Sequence, residues 1–345
     1  MKITAITAFP LREPQGGKAY TLLKISTDSG AVGWGEAASL SPAALVRARE
    51  LVVGQEPSRY DFLTRQFAAE PMAGALNMAL LDLAGKAANA PVYQLLGGPT
   101  RNRVRAIVAA ANPAAREQFA AQGHRAFLVP LALPQAITSR PKLVAGVVEE
   151  FTALRKSLGE NADFAVDGQA GLPALEATDI AVALEPLHPL WVERLVREPN
   201  AEVLSRISSE CATPLGLGNE LTEIGPVQNL LREGNVDLIR LPLQRLGLTP
   251  LRRAAALAET YYTAVAPTHA EGGPLTTVAA LHLGASIPNF FIQEVPAVLS
   301  AEARTLRDAL VRGSWEAVRE GYLSLPTKPG LGVEIDESIV RRMAQ

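Results

Sequence analysis

Three short segments decide how this chain is read: AVDGQ at 165–169, LWVERL at 190–195 and PLGLGNE at 214–220. Each is an apolar run that ends on a polar residue, and those residues, Asp167, Glu193 and Asn219, follow one another at intervals of 26. A strand of about five residues, a helix of ten to fourteen and two loops fill such an interval. The spacing therefore predicts three successive βα units, each presenting one oxygen ligand from the C-terminal end of its strand. Parallel strands closed into a barrel bring those ends to one mouth, where barrel enzymes do their chemistry. Two carboxylates and an amide oxygen there suit a hard cation such as Mg²⁺. Taken singly, each residue reads more readily as a helix N-cap or a loop residue; it is the common register that favours a shared site.

The texture around these segments extends the pattern. From Arg105 onward, the runs RAIVAAA, RAFLVPL, DFAVDG, PLWVE, PLGLG, VDLIRL, TAVAP and NFFIQE alternate with segments long enough for helices. Eight such units argue for a closed α/β barrel of the (β/α)8 TIM type. A doubly wound open sheet is the competing architecture, but AIVAAANPAA has no glycine-rich phosphate turn after its strand. The first hundred residues differ. KITAITAF, AYTLLKIST and GAVGWGEAA alternate as antiparallel strands, and helical stretches follow from Pro42 to Val53 and from about Met72. The polar segment REPQGGK, with Gly16 and Gly17, reads as a mobile loop of the kind that closes over sites.

Composition narrows the function. The chain has 345 residues, 48% hydrophobic and 20% charged, as expected of a well-packed globular protein. A net charge of −2 without a basic block argues against nucleic acid and anionic membranes as partners. Cys211 is the single cysteine, so intrachain disulfides and thiolate metal sites are excluded. With no signal-peptide pattern near Met1 and no apolar run of spanning length, the expected location is the cytoplasm.

Several segments resemble the mandelate racemase/muconate-lactonising branch of the enolase superfamily. GALNMALLDLAGKAANAPVYQLLGG (74–98), ALHLGASIPNF (280–290) and PTKPGLGVEID (326–336) are similar to its signatures, in the same order and across most of the chain. The resemblance implies an α+β capping domain over residues 1–104, with the tail 322–345 folded back on it, and a modified barrel over 105–321. It also implies a dehydratase or isomerase that removes a proton next to a substrate carboxylate, with Mg²⁺ stabilising the enediolate. A small-molecule carboxylate is then the expected partner, bound by a homo-oligomer.

Carried over residue by residue, the resemblance gives a mixed result. Asp167 and Glu193 match the first two metal ligands, His269 the seventh-strand histidine, and Glu294 the eighth-strand acid that bonds the substrate carboxylate. Asn219 stands where the third ligand is a glutamate, and Glu220 beside it should point away. Leu128 and Pro130 replace the two second-strand lysines, and Pro242 replaces the sixth-strand group that would partner the histidine. His269 is left as the sole acid/base, without the partner that would fix its tautomer. Arg240 admits two readings: inward, replacing part of the metal's charge, or outward toward a helix. His124, His188 and His282, with Trp34 and Trp191, read as packing or loop residues. The same losses leave a second function open, a catalytically silent relative that binds an acidic metabolite or a partner.

Overall fold

The computed structural model describes residues 1–14, 17–197, 200–233, 235–269 and 272–344. Strands Ile3–Arg12, Ala19–Thr27 and Val32–Ala37 form an antiparallel sheet in chain order. The third strand explains how closely this sheet packs. Gly33 and Gly35 lie two residues apart, so they share one face, and a Cβ on either would strike the carbonyl oxygen of Ala79 or Ala75. That face rests directly on the backbone of helix Pro71–Ala87, which opens with a proline in its first turn and is buried on all sides from Met72 to Leu83.

The same helix is the wall between the two halves of the molecule. Its opposite side meets the barrel, where Asn77 donates to Thr249 Oγ1 at 2.8 Å and accepts from the Thr249 amide at 3.1 Å.

The barrel strands are Arg103–Ala109, Ala126–Pro130, Asp163–Asp167, Val192–Glu193, Leu215–Leu217, Leu238–Ile239, Ala264–Val265 and Gln293–Val295. They pair in parallel from first to seventh, and the eighth pairs with the first. Their central residues, among them Val104, Ile107, Phe127, Val129, Phe164 and Val166, are apolar and buried, as parallel strands under helices require. Two hydrogen bonds close the curl between the seventh and eighth units: the Val265 amide to the Asn289 carbonyl and the Phe291 amide to the Val265 carbonyl, both at 2.9 Å. The registers Asp167↔Glu193 and Glu193↔Gly216 place the ends of the third, fourth and fifth strands side by side.

The C-terminal segment touches both halves. Tyr322–Ser324 adds an antiparallel strand to the start of the first barrel strand. Beyond it, the Leu331 amide donates to Asp82 Oδ1 at 2.9 Å, and Glu337 pairs with Lys24 at 2.5 Å. Asp82, buried in the wall helix, also accepts from the Trp34 amide at 3.1 Å and from Lys86 at 2.8 Å.

A second buried carboxylate locks the antiparallel sheet to the barrel. Glu36 accepts from the Gly273, Leu275 and Thr276 amides at 2.6, 3.2 and 3.4 Å, which lie at the start of helix Pro274–Ser286. The Thr276 hydroxyl and Gln244 complete its shell at 2.6 and 2.9 Å. Burial raises the Glu36 pKa, and the Thr276 hydroxyl and the Gly273 amide at the positive end of the helix dipole oppose that rise. Among the described residues no helix is long and apolar enough to cross a membrane.

The close approach at Gly35 sets a stability test. Gly35→Ala is expected to lose about 3 kcal/mol, because rigid backbone must move to admit one methyl group. Gly146→Ala, on an exposed helical face with nothing within 4 Å of the new Cβ, should stay level or gain up to about 1 kcal/mol. Urea unfolding of both variants measures the contrast. Equal midpoints would show that the sheet is not seated on the helix backbone.

Candidate functional site

The five residues singled out by the sequence line one cavity of about 440 Å³ at the C-terminal ends of the barrel strands. Asp167, Glu193, Asn219, His269 and Glu294 share it with Arg194, Gln244, Arg245 and Gly272. Leu128 on the second strand and Pro242 after the sixth also line it, so the two faces expected to lack titratable groups are apolar in place. Gly16, part of the expected lid, lies outside the described residues. At the base of that loop, Gly17 donates to the Pro14 carbonyl at 3.1 Å and Glu13 to the Lys18 carbonyl at 2.9 Å.

Arg240 takes the inward course. It is fully buried beneath the cavity, with Nε on Glu193 at 2.6 Å, Nη2 on Glu294 at 2.7 Å and Nη1 on the Ala266 carbonyl at 3.1 Å. Its guanidinium lies 4.9 Å from the ring centre of Trp191, whose indole N–H donates to Glu193 Oε2 at 2.7 Å. Burial works against the guanidinium charge, but Glu193 and Glu294 outweigh it and hold the arginine protonated. Burial raises the Glu294 pKa, and Arg240 opposes that rise. Trp191, expected as plain core, is therefore also a polar anchor.

Arg194 was not picked out by the sequence reading. It takes a left-handed backbone conformation, φ 49°, and turns its fork onto Asp167, with Nε 2.9 Å from Oδ1 and Nη2 on Oδ2. The hydrogen bond to Asp167 raises the Arg194 pKa. Its position was visible in principle. It follows Glu193 directly, and in a parallel sheet Glu193 lies in register with Asp167.

The oxygens of Asp167, Glu193 and Asn219 show how far the three suit a cation. Glu193 Oε1 accepts from Asn219 Nδ2 at 2.9 Å, and Asn219 Oδ1 is buried with no partner among the described residues. That orphaned oxygen, beside two carboxylates, fits a hard divalent ion in kind and place. The charge is short, however. Asp167, Glu193 and Glu294 contribute three negative charges, and their ion-pair partners Arg194 and Arg240 return two positive ones, leaving one before Arg245 at the wall is counted. Among the described residues no group of three carboxylates, imidazoles or thiols is placed to hold a metal. Glu220 is exposed and does not make up the missing ligand.

His269 is buried and neutral, its pKa pushed down to about 3 by burial, with Glu316 pulling the other way. Its backbone N–H supports the Glu294 carboxylate. The expectation that its tautomer is free is corrected by the geometry. Nε2 lies 2.9 Å from Thr277 Oγ1, which lies 2.7 Å from Glu316 Oε1. These partners come from helix Pro274–Ser286 and from the loop before Tyr322, far from the sixth strand, and no barrel-strand spacing points to them. The other histidines lie outside the cavity. His282 accepts from the Tyr93 amide at 3.2 Å and bonds the Leu331 carbonyl at 3.0 Å, so it is a polar tie within the packed helix.

Comparison with known proteins agrees with this architecture. Residues 109–339 match the enolase C-terminal domain-like family, and residues 12–97 match the mandelate racemase / muconate lactonizing enzyme N-terminal domain. A D-galactonate dehydratase of Xanthomonas oryzae pv. oryzae (strain PXO99A) is 31% identical over 99% of this chain and 94% of its own length. One from Pectobacterium atrosepticum is 29% identical with the same coverage. Among solved structures, an enolase from Agrobacterium radiobacter bound to Na and L-malate superposes with a TM-score of 0.89. It is 28% identical, with 100% of this chain and 95% of that one covered. A mandelate racemase/muconate lactonizing enzyme-like protein from Roseovarius sp. TM1035 gives 0.85 at 27% identity, with 99% and 95% covered. With both halves of the chain matched and the barrel built as described, the chain belongs to the mandelate racemase / muconate lactonizing enzyme family of the enolase superfamily.

Proposed function

We propose that this chain is a sugar-acid or hydroxy-acid dehydratase in which His269 is the single acid/base. The observation that carries this reading is the one-sided cavity. A neutral imidazole and Glu294 line it together with the apolar Leu128, and the second strand carries Leu128 and Pro130 where the lysines would be. The relatives called D-galactonate dehydratase support the substrate class.

Dehydration needs no second face. His269 takes the proton from the carbon next to the carboxylate, and the electron pair passes into the enediolate. Collapse of the enediolate expels the neighbouring hydroxyl, which takes the proton back and leaves as water. Glu294, held by Arg240 on its other side, accepts a hydrogen bond from substrate. Arg245 at the wall supplies positive charge toward an acid, while Arg194 is taken up by Asp167. Asp167, Glu193 and Asn219 would hold Mg²⁺, which when bound supplies Lewis-acid stabilisation of developing negative charge. A second reading, a silent member that binds an acid without turning it over, is favoured by the pairing of Asp167 with Arg194 and of Glu193 with Arg240.

A panel of aldonic, aldaric and hydroxy acids, D-galactonate included, incubated in D₂O separates the two readings. Loss of water or deuterium uptake at the α-carbon is expected, and His269→Ala should remove it. A fully active His269→Ala would mean that another group is the base, and binding without exchange across the panel would favour the silent reading. Racemisation is expected to be absent, because no titratable group stands on the second-strand face.

The charge shortfall predicts weak Mg²⁺ binding that Asn219→Glu tightens. At an effective dielectric of about 20, a unit charge 4 Å away is on the order of 4 kcal/mol before desolvation, and a surviving 1.4 kcal/mol is about tenfold in affinity. Calorimetric titration of both chains measures this. Native binding as tight as that of Asn219→Glu would show that charge does not control the site.

A further inference from the structure

His269 is oriented from a side that the barrel strands do not reveal. Position 242, after the sixth strand, is a proline, which offers neither a side-chain acceptor nor an N–H. The ring instead reaches across to Thr277 on helix Pro274–Ser286, and through it to Glu316. Protons can be counted along this line. A hydroxyl has one proton and an ionised carboxylate has none to give. Although burial works against it, Arg307 holds Glu316 ionised, with Nε and Nη2 at 2.7 and 2.6 Å. Arg307 is itself pinned by Glu13 at 2.6 Å and by the Gly272 carbonyl at 3.1 Å. The Thr277 proton therefore goes to Glu316, and toward His269 the hydroxyl oxygen can only accept. It follows that Nε2 carries the imidazole proton and Nδ1 carries the lone pair. Nδ1 is buried with no partner among the described residues, and the ring lies against Gly272, which lines the same cavity.

We propose that Thr277 and Glu316 are the positioning residues of His269, holding it as the Nε2–H tautomer so that Nδ1 is the nitrogen that takes the substrate proton. The proposal rests on reading His269 as the acid/base, and it adds which nitrogen works and what holds it. Neither partner touches substrate; both act through the ring.

The test uses the full chain labelled with ¹⁵N-histidine, whose four rings are resolved in two-bond ¹⁵N–¹H spectra at pH 7. Loss of one signal set in His269→Gln identifies His269. The expected pattern is a protonated, pyrrole-type Nε2 and a pyridine-type Nδ1; the reverse would overturn the proposal. Thr277→Val is expected to mix the tautomers and to lower kcat on a dehydrated acid by ten- to a hundred-fold with KM little changed. Thr277→Ser should restore both. Glu316→Gln, whose amide can donate to Thr277, frees the hydroxyl proton for Nε2 and should shift the ring toward Nδ1–H, which keeps the proposal testable if the valine variant does not fold. A folded Thr277→Val that keeps both tautomer and rate would sink it. If no acid is turned over, the spectra still decide the positioning claim, and only the reading of His269 as base falls.

Discussion

The interior of this barrel is organised around one buried cation. Arg240 joins Glu193 to Glu294 across the barrel and rests on Trp191, and this cluster lies beneath the cavity that the two glutamates line. Two carboxylates in so dry a place repel each other and lose their hydration, so each needs a fixed positive partner. Arg240 serves both with separate nitrogens while a third reaches a backbone carbonyl. A lysine, with a compact ammonium in place of a planar fork, has no geometry to match this. The arrangement also limits what else can enter. Any cation drawn to Glu193 meets a carboxylate that is already half neutralised.

Much of this was legible from spacing. The 26-residue intervals from Asp167 to Asn219 reflect the length of a βα unit, and that length is what puts the three residues on adjacent strand ends. His269 and Glu294 were found by resemblance and lie at the same mouth. What spacing does not encode is pairing between groups that come from unrelated parts of the chain. Arg240 left two orientations open, because period-two alternation in a two-residue strand is too short to decide a face. Thr277 and, behind it, Glu316 and Arg307 come from helix Pro274–Ser286, from helix Ala301–Leu310 and from the segment after it, and nothing in their local sequence marks them as neighbours of His269. Arg194 reaches Asp167 only because of a left-handed backbone step.

The two buried arginines show one device used twice. Arg240 sits inside the barrel, and Arg307 sits where the barrel, the tail and the first strand meet, forked between Glu316 and Glu13. Each holds two buried carboxylates in place as hydrogen-bond acceptors. The first sets the charge beneath the cavity. The second sets the direction of a hydroxyl proton at its wall.

Glu36 gives the helix Pro274–Ser286 a further meaning. Its carboxylate, carried by the antiparallel sheet, holds the helix start at Gly273, Leu275 and Thr276, and the next residue is Thr277. One turn and a half further along, His282 ties the helix to Leu331 in the tail. The imidazole in the cavity thus takes its bearing from an element clamped at its head by one half of the molecule and at its middle by the C-terminus. The antiparallel half is a jig as well as a cover: whatever shifts it by a fraction of an ångström is transmitted, through one helix, to the aim of a single nitrogen.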